Sequence, residues 1–198
     1  KEADNIRPES LAGAASVMVY DMEANTEEAW GTDTVSLYRP VWMNAGTVIA
    51  IGVIPGEKRL SSDIFIVTPS AVNPLPAIAM PSAGQYVEWA AEVNVRENLL
   101  AYESNDGGDR EVFVLSFKRG STDVSNHRAA DWNPVWQPAG LWLAFESFRS
   151  GRRGIYRVFP NTIRVVPVAV AAEYDNWHPA WSPDGAFLAY VSDRDGTP

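Results

Sequence analysis

The chain has 198 residues, no cysteine and a formal net charge of −9, from 25 acidic and 16 basic residues. It is 46% hydrophobic and 21% charged, which excludes a disordered chain. The missing cysteines exclude disulfides, thiolate metal sites and a thiol nucleophile; the acidic balance argues against a nucleic-acid partner, and no apolar run reaches the roughly 18 residues that span a bilayer.

The chain begins with Lys1, so it reads as a processed or excised piece of something longer, and 1–12 reads as an N-terminal extension. Residues 16–22 and 26–30 then read as two strands. From there a repeat sets in, marked by Arg39-Pro40-Val41-Trp42, Tyr86-Val87-Glu88-Trp89, Asn133-Pro134-Val135-Trp136 and His178-Pro179-Ala180-Trp181, with Trp-to-Trp steps of 47, 47 and 45. An apolar strand with a central alanine follows each: 47–53 with Ala50, 99–104 with Ala101, 141–147 with Ala144, and 187–192 with Ala189. A β-branched and aromatic strand comes next in the first three repeats, at 63–68, 111–116 and 154–159. Connectors such as Asn105-Asp106-Gly107-Gly108 supply the positive φ angles of tight hairpins. A weaker strand closes each unit, around 76–80, 121–125 and 164–170. Pro74, Pro76 and Pro167 lie in or beside these stretches, as suits an edge.

This pattern predicts an all-β fold, a β-propeller of four blades with four antiparallel strands each. The fourth repeat stops after two strands and the N-terminus holds two spare ones, so the last blade is expected to be closed by strands from both termini. The expected limits are one domain over 13–198, with blades at about 35–80, 84–126, 130–172, and 174–198 with 13–32. Trp42, Trp89, Trp136 and Trp181 are expected to be buried at an equivalent place.

Chemistry is hard to find in the residues. No Gly-x-Ser-x-Gly is present, and His127 and His178 are the two histidines, neither beside a nucleophile motif. Ser192-Asp193-Arg194-Asp195-Gly196 offers too few oxygens for calcium and reads as a hairpin turn. No pair among the plentiful carboxylates stands out for glycoside cleavage. Arg149, Arg152, Arg153 and Arg157 read as a solvated hairpin. The expectation is no catalytic residue, no metal and no cofactor.

Trp181-Ser182-Pro183-Asp184-Gly185, followed by Leu188-Ala189-Tyr190-Val191-Ser192-Asp193-Arg194-Asp195-Gly196, resembles the TolB-like propeller repeat. The third repeat keeps Trp136-Gln137-Pro138-Ala139-Gly140, and the first keeps Trp42 and Gly46. The second lacks the proline before Trp89 and carries 90–98 in place of the short turn. The resemblance implies the propeller fold, a periplasmic or extracellular location, and either partner binding or a place beside a hydrolase domain. Familiar members have six or more blades, against four repeats here.

The strands that begin each repeat should converge on one channel mouth. Tyr38, Arg39, Gln85, Tyr86, Trp132, Asn133, Trp177 and His178 are therefore the candidate ligand-binding rim. The expected function is a non-catalytic binding or scaffolding module, part of a larger extracytoplasmic protein, taking a protein, a peptide or a carbohydrate. It is expected as a monomer rather than a paired ring. A glycosidase or lactonase-like hydrolase and a structural assembly unit are the alternatives.

Overall fold

The computed structural model describes residues 15–32, 34–54, 62–74, 88–106, 108–138, 140 and 142–196, with 88–91 described as backbone. Every regular element among them is a strand. In order these are β1 (Val17–Asp21), β2 (Thr26–Trp30), β3 (Ser36–Asn44), β4 (Thr47–Val53), β5 (Asp63–Thr68), β6 (Ala71–Pro74), β7 (Glu88–Asn94) and β8 (Leu99–Ser104). They continue with β9 (Glu111–Ser116), β10 (Gly120–Asp123), β11 (Asp131–Trp136), β12 (Leu143–Ser147), β13 (Gly154–Phe159), β14 (Arg164–Ala169), β15 (Asn176–Trp181) and β16 (Leu188–Ser192). No helix of the described residues is long and apolar enough to cross a membrane.

Three four-stranded sheets run in chain order: β3 to β6, β7 to β10, and β11 to β14. Their pairings are antiparallel, as hairpin connections require. The second strand of each is the most apolar because it is covered on both faces. Ala50, Ala101 and Ala144 are fully buried at its centre. The ends of the chain form β1–β2 and β15–β16, each a two-stranded sheet, where the sequence predicts one blade completed by both. Ala189 and Val191 of β16 are accordingly exposed.

The chain divides into two compact units, Lys1–Ala91 and Glu92–Pro198. In the first, Val17 and Trp30 of the N-terminal hairpin share a buried cluster with Leu37, Val48, Ala50, Phe65 and Val67. In the second, Ala101, Val112, Val114 and Val124 of one sheet meet Leu143, Phe145, Tyr156 and Val158 of the next. Within each unit sheets thus stack face to face, and one backbone bond recurs at three of the joints. Asp131 N donates to Arg110 O at 2.6 Å, Asn176 N to Arg153 O at 2.8 Å, and Leu37 N to Ala15 O at 2.8 Å. Arg110 precedes β9 and Arg153 precedes β13, third strands of their sheets; Ala15 precedes β1. The N-terminal hairpin therefore stands to β3 as the outer half of a sheet stands to the sheet after it.

The repeat register differs from the sequence expectation in one sheet. Trp136 Nε1 donates to Glu92 O at 3.0 Å, and Trp181 Nε1 donates to Val135 O at 3.2 Å. A Cβ on the turn residue Gly140 would stand 3.0 Å from Asn94, and one on Gly185 would stand 3.0 Å from Gln137. Glu92 thus corresponds to Val135, and Val93, not Trp89, takes the place of Trp136. Trp89 falls four residues earlier, level with Trp132, Trp177 and Tyr38. Nor are the repeated tryptophans deep in the core. Trp42 is 51% exposed, while Trp136 and Trp181 are half-buried. They stand at the ends of their strands, where the indole N–H of Trp136 and of Trp181 caps a carbonyl of the preceding sheet.

The fourth-repeat turn follows its motif. Ser182 Oγ and Ala186 N both donate to Asp184 Oδ1, holding that carboxyl below its usual range, and Gly185 takes φ +71°.

Candidate functional site: the strand-start rim

Three first strands, β3, β11 and β15, carry a kink where the rim was expected. The ladder shifts between Tyr38 and Val41, between Trp132 and Val135, and between Trp177 and Ala180. At that bulge Arg39, Asn133 and His178 adopt φ of 53°, 53° and 51°. This is left-handed backbone that costs a non-glycine residue energy unless its surroundings hold it.

For Asn133 and His178 the holding group is a buried glutamate in the preceding sheet. Glu103 Oε1 accepts a hydrogen bond from Asn133 N at 2.6 Å, and Glu146 Oε1 accepts one from His178 N at 2.8 Å. Each glutamate also pairs with the arginine seven residues on, Glu103 with Arg110 and Glu146 with Arg153. Asn133 Nδ2 adds a third donor to Glu146, at 2.8 Å. Both carboxylates are buried, and their charge is met by charge-assisted bonds. Gly52 stands at the corresponding place in β4, where a Cβ would sit 2.5 Å from the Phe65 ring.

Arg153 does a second job. Its guanidinium lies over Trp132, 5.2 Å from the ring centroid, and over Trp177, at 5.8 Å. Phe148 packs on Trp132 with centroids 5.1 Å apart. Phe148, Trp132, Arg153 and Trp177 thus form one ladder of rings and cation, held in place by Glu146. The expected solvated hairpin is corrected here: the side chains of Arg149 and Arg153 are only 13% and 25% exposed, because buried carboxylates draw them inward.

The structure brings Trp132, Asn133, Trp177 and His178 together. Trp132, Asn133 and Trp177 are half-buried, and His178 is exposed. In the first unit Tyr38 is half-buried and Arg39 exposed. Gln85 and Tyr86 lie outside the described residues. Residue reasoning missed Glu103, Glu146, Arg110 and Arg153. A signal was present: each Glu follows the central alanine by two residues and precedes its arginine by seven. A second signal would have fixed the register, since Trp42, Val93, Trp136 and Trp181 each precede that alanine by eight.

No family model matches the chain, and no curated protein matches it in sequence. Solved structures do resemble it. TolB from Acinetobacter baumannii is 15% identical with a TM-score of 0.60, over 93% of this chain and 45% of that one. An oligogalacturonate lyase from Vibrio parahaemolyticus is 14% identical with a TM-score of 0.64, over 88% of this chain and 52% of that one. A puromycin hydrolase is 13% identical with a TM-score of 0.63, over 93% of this chain and 33% of that one. The chain spans about half the length of the first two. The fold is that of a TolB-like β-propeller, a fold shared by enzymes and non-enzymes alike.

Proposed function

We propose that this chain is a non-catalytic binding module of a larger periplasmic or extracellular protein, and that it takes a protein or peptide on its strand-start rim. The observation that carries the reading is the ladder Phe148–Trp132–Arg153–Trp177 with Asn133 and His178 beside it. It offers rigid, half-exposed aromatic area next to polar groups, the composition of a recognition surface. Trp132 already has Phe148 and Arg153 against its ring, at 5.1 and 5.2 Å from its centroid, which reduces the ring surface open to a stacked sugar and favours a peptide. The two buried glutamates of the rim already take hydrogen bonds from backbone and arginine, an arrangement that serves positioning rather than proton transfer.

The module we infer has four blades, the last made of β15–β16 with β1–β2 as its outer half. The recurring joint bond at Ala15 supports this. So does a paired substitution. Where the second and third repeats have Glu103 with Arg110 and Glu146 with Arg153, the corresponding places hold Val191 and Ala15. Both charges are absent together, as one shared blade would require.

The test is a selection from a displayed random-peptide library against the immobilised chain, with defined oligosaccharides as competitors. Trp177→Ala should weaken the selected peptides at least about tenfold, or about 1.4 kcal/mol. Circular dichroism should show the fold intact. Undiminished binding by Trp177→Ala and by His178→Ala would overturn the rim; competition by a sugar would overturn the peptide.

A further inference from the structure

Glu111 opens β9 and Asp131 opens β11, so their carboxyls meet where the second and third sheets join. Asp131 is fully buried and Glu111 is 7% exposed. Arg149 Nη2 donates to Asp131 Oδ2 at 2.9 Å, and Arg149 Nε donates to Ser147 Oγ at 2.9 Å. On the other side Ser125 Oγ donates to Glu111 Oε2 at 2.5 Å and lies 3.2 Å from Asp123 Oδ1. Asp131 N donates to Arg110 O at 2.6 Å, which sets the Glu111 and Asp131 carboxyls side by side. Two adjacent buried carboxylates repel when both are ionised, which favours a proton on one of them. Asp131 Oδ1 is buried with no donor of its own, and a neutral Glu111 would supply one. Arg149 faces Asp131, which keeps the charge there and leaves the proton to Glu111.

Among the described residues no salt bridge ends on Glu111. Asp123 adds a further negative charge from β10. Asp106, Asp109, His127 and Arg128 line, with Glu111 and Asp123, a pocket of 280 Å³ beside it. The neighbouring Arg110 is engaged by Glu103.

We propose that Glu111 and Asp131 hold a single proton between them, carried on Glu111 and donated to Asp131 Oδ1, and that this proton fastens the third sheet to the second. The joint is tight in acid and neutral solution and loosens in alkali, when two adjacent buried carboxylates repel. Asp131 immediately precedes Trp132, so loosening reaches the rim ladder. Burial, reinforced by Asp131, pushes the Glu111 carboxyl up to about 8 from an ordinary 4.5. Between those values the folded chain binds more protons than the unfolded one. The stabilisation is complete below the lower value and is lost as pH rises through the higher.

Two measurements test this. Glu111→Gln replaces the shared proton with an amide N–H that cannot be removed. From pH 5 to pH 9 the melting temperature of the native chain should fall at least about 5 °C further than that of Glu111→Gln. Equal slopes would overturn the proposal. Carbon-13 carboxyl spectra of the glutamate-labelled native chain need no variant to fold. They should contain a resonance titrating near pH 8. Asp131→Asn should move that resonance down towards ordinary glutamate values, because its amide donates to an ionised Glu111. A folded native chain whose described glutamates all titrate below about pH 6 would overturn the proposal.

Discussion

Glu146 has no exposed surface, yet three donors end on it: His178 N, Asn133 Nδ2 and Arg153. Removing a buried partner of this kind strands the others, and that loss exceeds what the pair adds in the intact protein. Glu146→Ala should therefore lower stability by about 3 kcal/mol or more, read from guanidinium denaturation midpoints at constant m. A change under about 1 kcal/mol would mean that water replaces the carboxylate and that the glutamate positions nothing. Glu103 makes the same contacts with Asn133 N and Arg110 one sheet earlier, so Glu103→Ala serves as an internal repeat of the experiment.

At the scale of elements, the device that recurs is the bulge of the first strand. His178 sits there at φ 51° with its side chain exposed. His178→Gly relieves the backbone and should stay within about 0.5 kcal/mol of the native chain, whereas His178→Val, β-branched at positive φ, should cost about 1–2 kcal/mol. Equal losses in calorimetry would show that the imidazole, not the backbone, matters at this place. These bulges also mark the limit of what the sequence discloses. The central strands were legible because a strand covered on both faces becomes a continuous apolar run, as in 143–147. The bulges at Asn133 and His178 were not, because the group that holds each is a glutamate about thirty residues away in another sheet. The second repeat misled for a different reason. Trp132 and Trp136 are four residues apart, as are Trp177 and Trp181, so a repeat with one tryptophan can be aligned on either. Aligning Trp89 with Trp136 matches it to the wrong member of the pair. Only Ala101, eight residues after Val93, fixes the register.

On the scale of a whole unit, stability comes from one sheet covering the next, so the cost of a missing sheet falls on the one before it. β15–β16 covers the third sheet through Asn176 N to Arg153 O, His178 N to Glu146 Oε1, and Trp181 Nε1 to Val135 O. Gln137 Nε2 adds a bond to Gly185 O at 2.8 Å. A chain ending at Tyr174 loses all four bonds together. It leaves Glu146 short of a donor and uncovers the face of β11 to β13. The exposed strands are apolar, and an uncovered sheet of that kind pairs with whatever strand it meets. Such a truncated chain should lose its single cooperative unfolding transition and self-associate at micromolar concentration, read by calorimetry and by light scattering on a sizing column. The four-blade reading adds a second consequence. If β1–β2 completes the blade that β15–β16 begins, the same cut bares the edge of β1 away from β2, and hydrogen exchange should quicken in β1 as well as in β11 to β13. Faster exchange confined to β11–β13 would leave the stacking argument standing and remove the shared blade. A truncated chain that stays folded and monomeric would remove both.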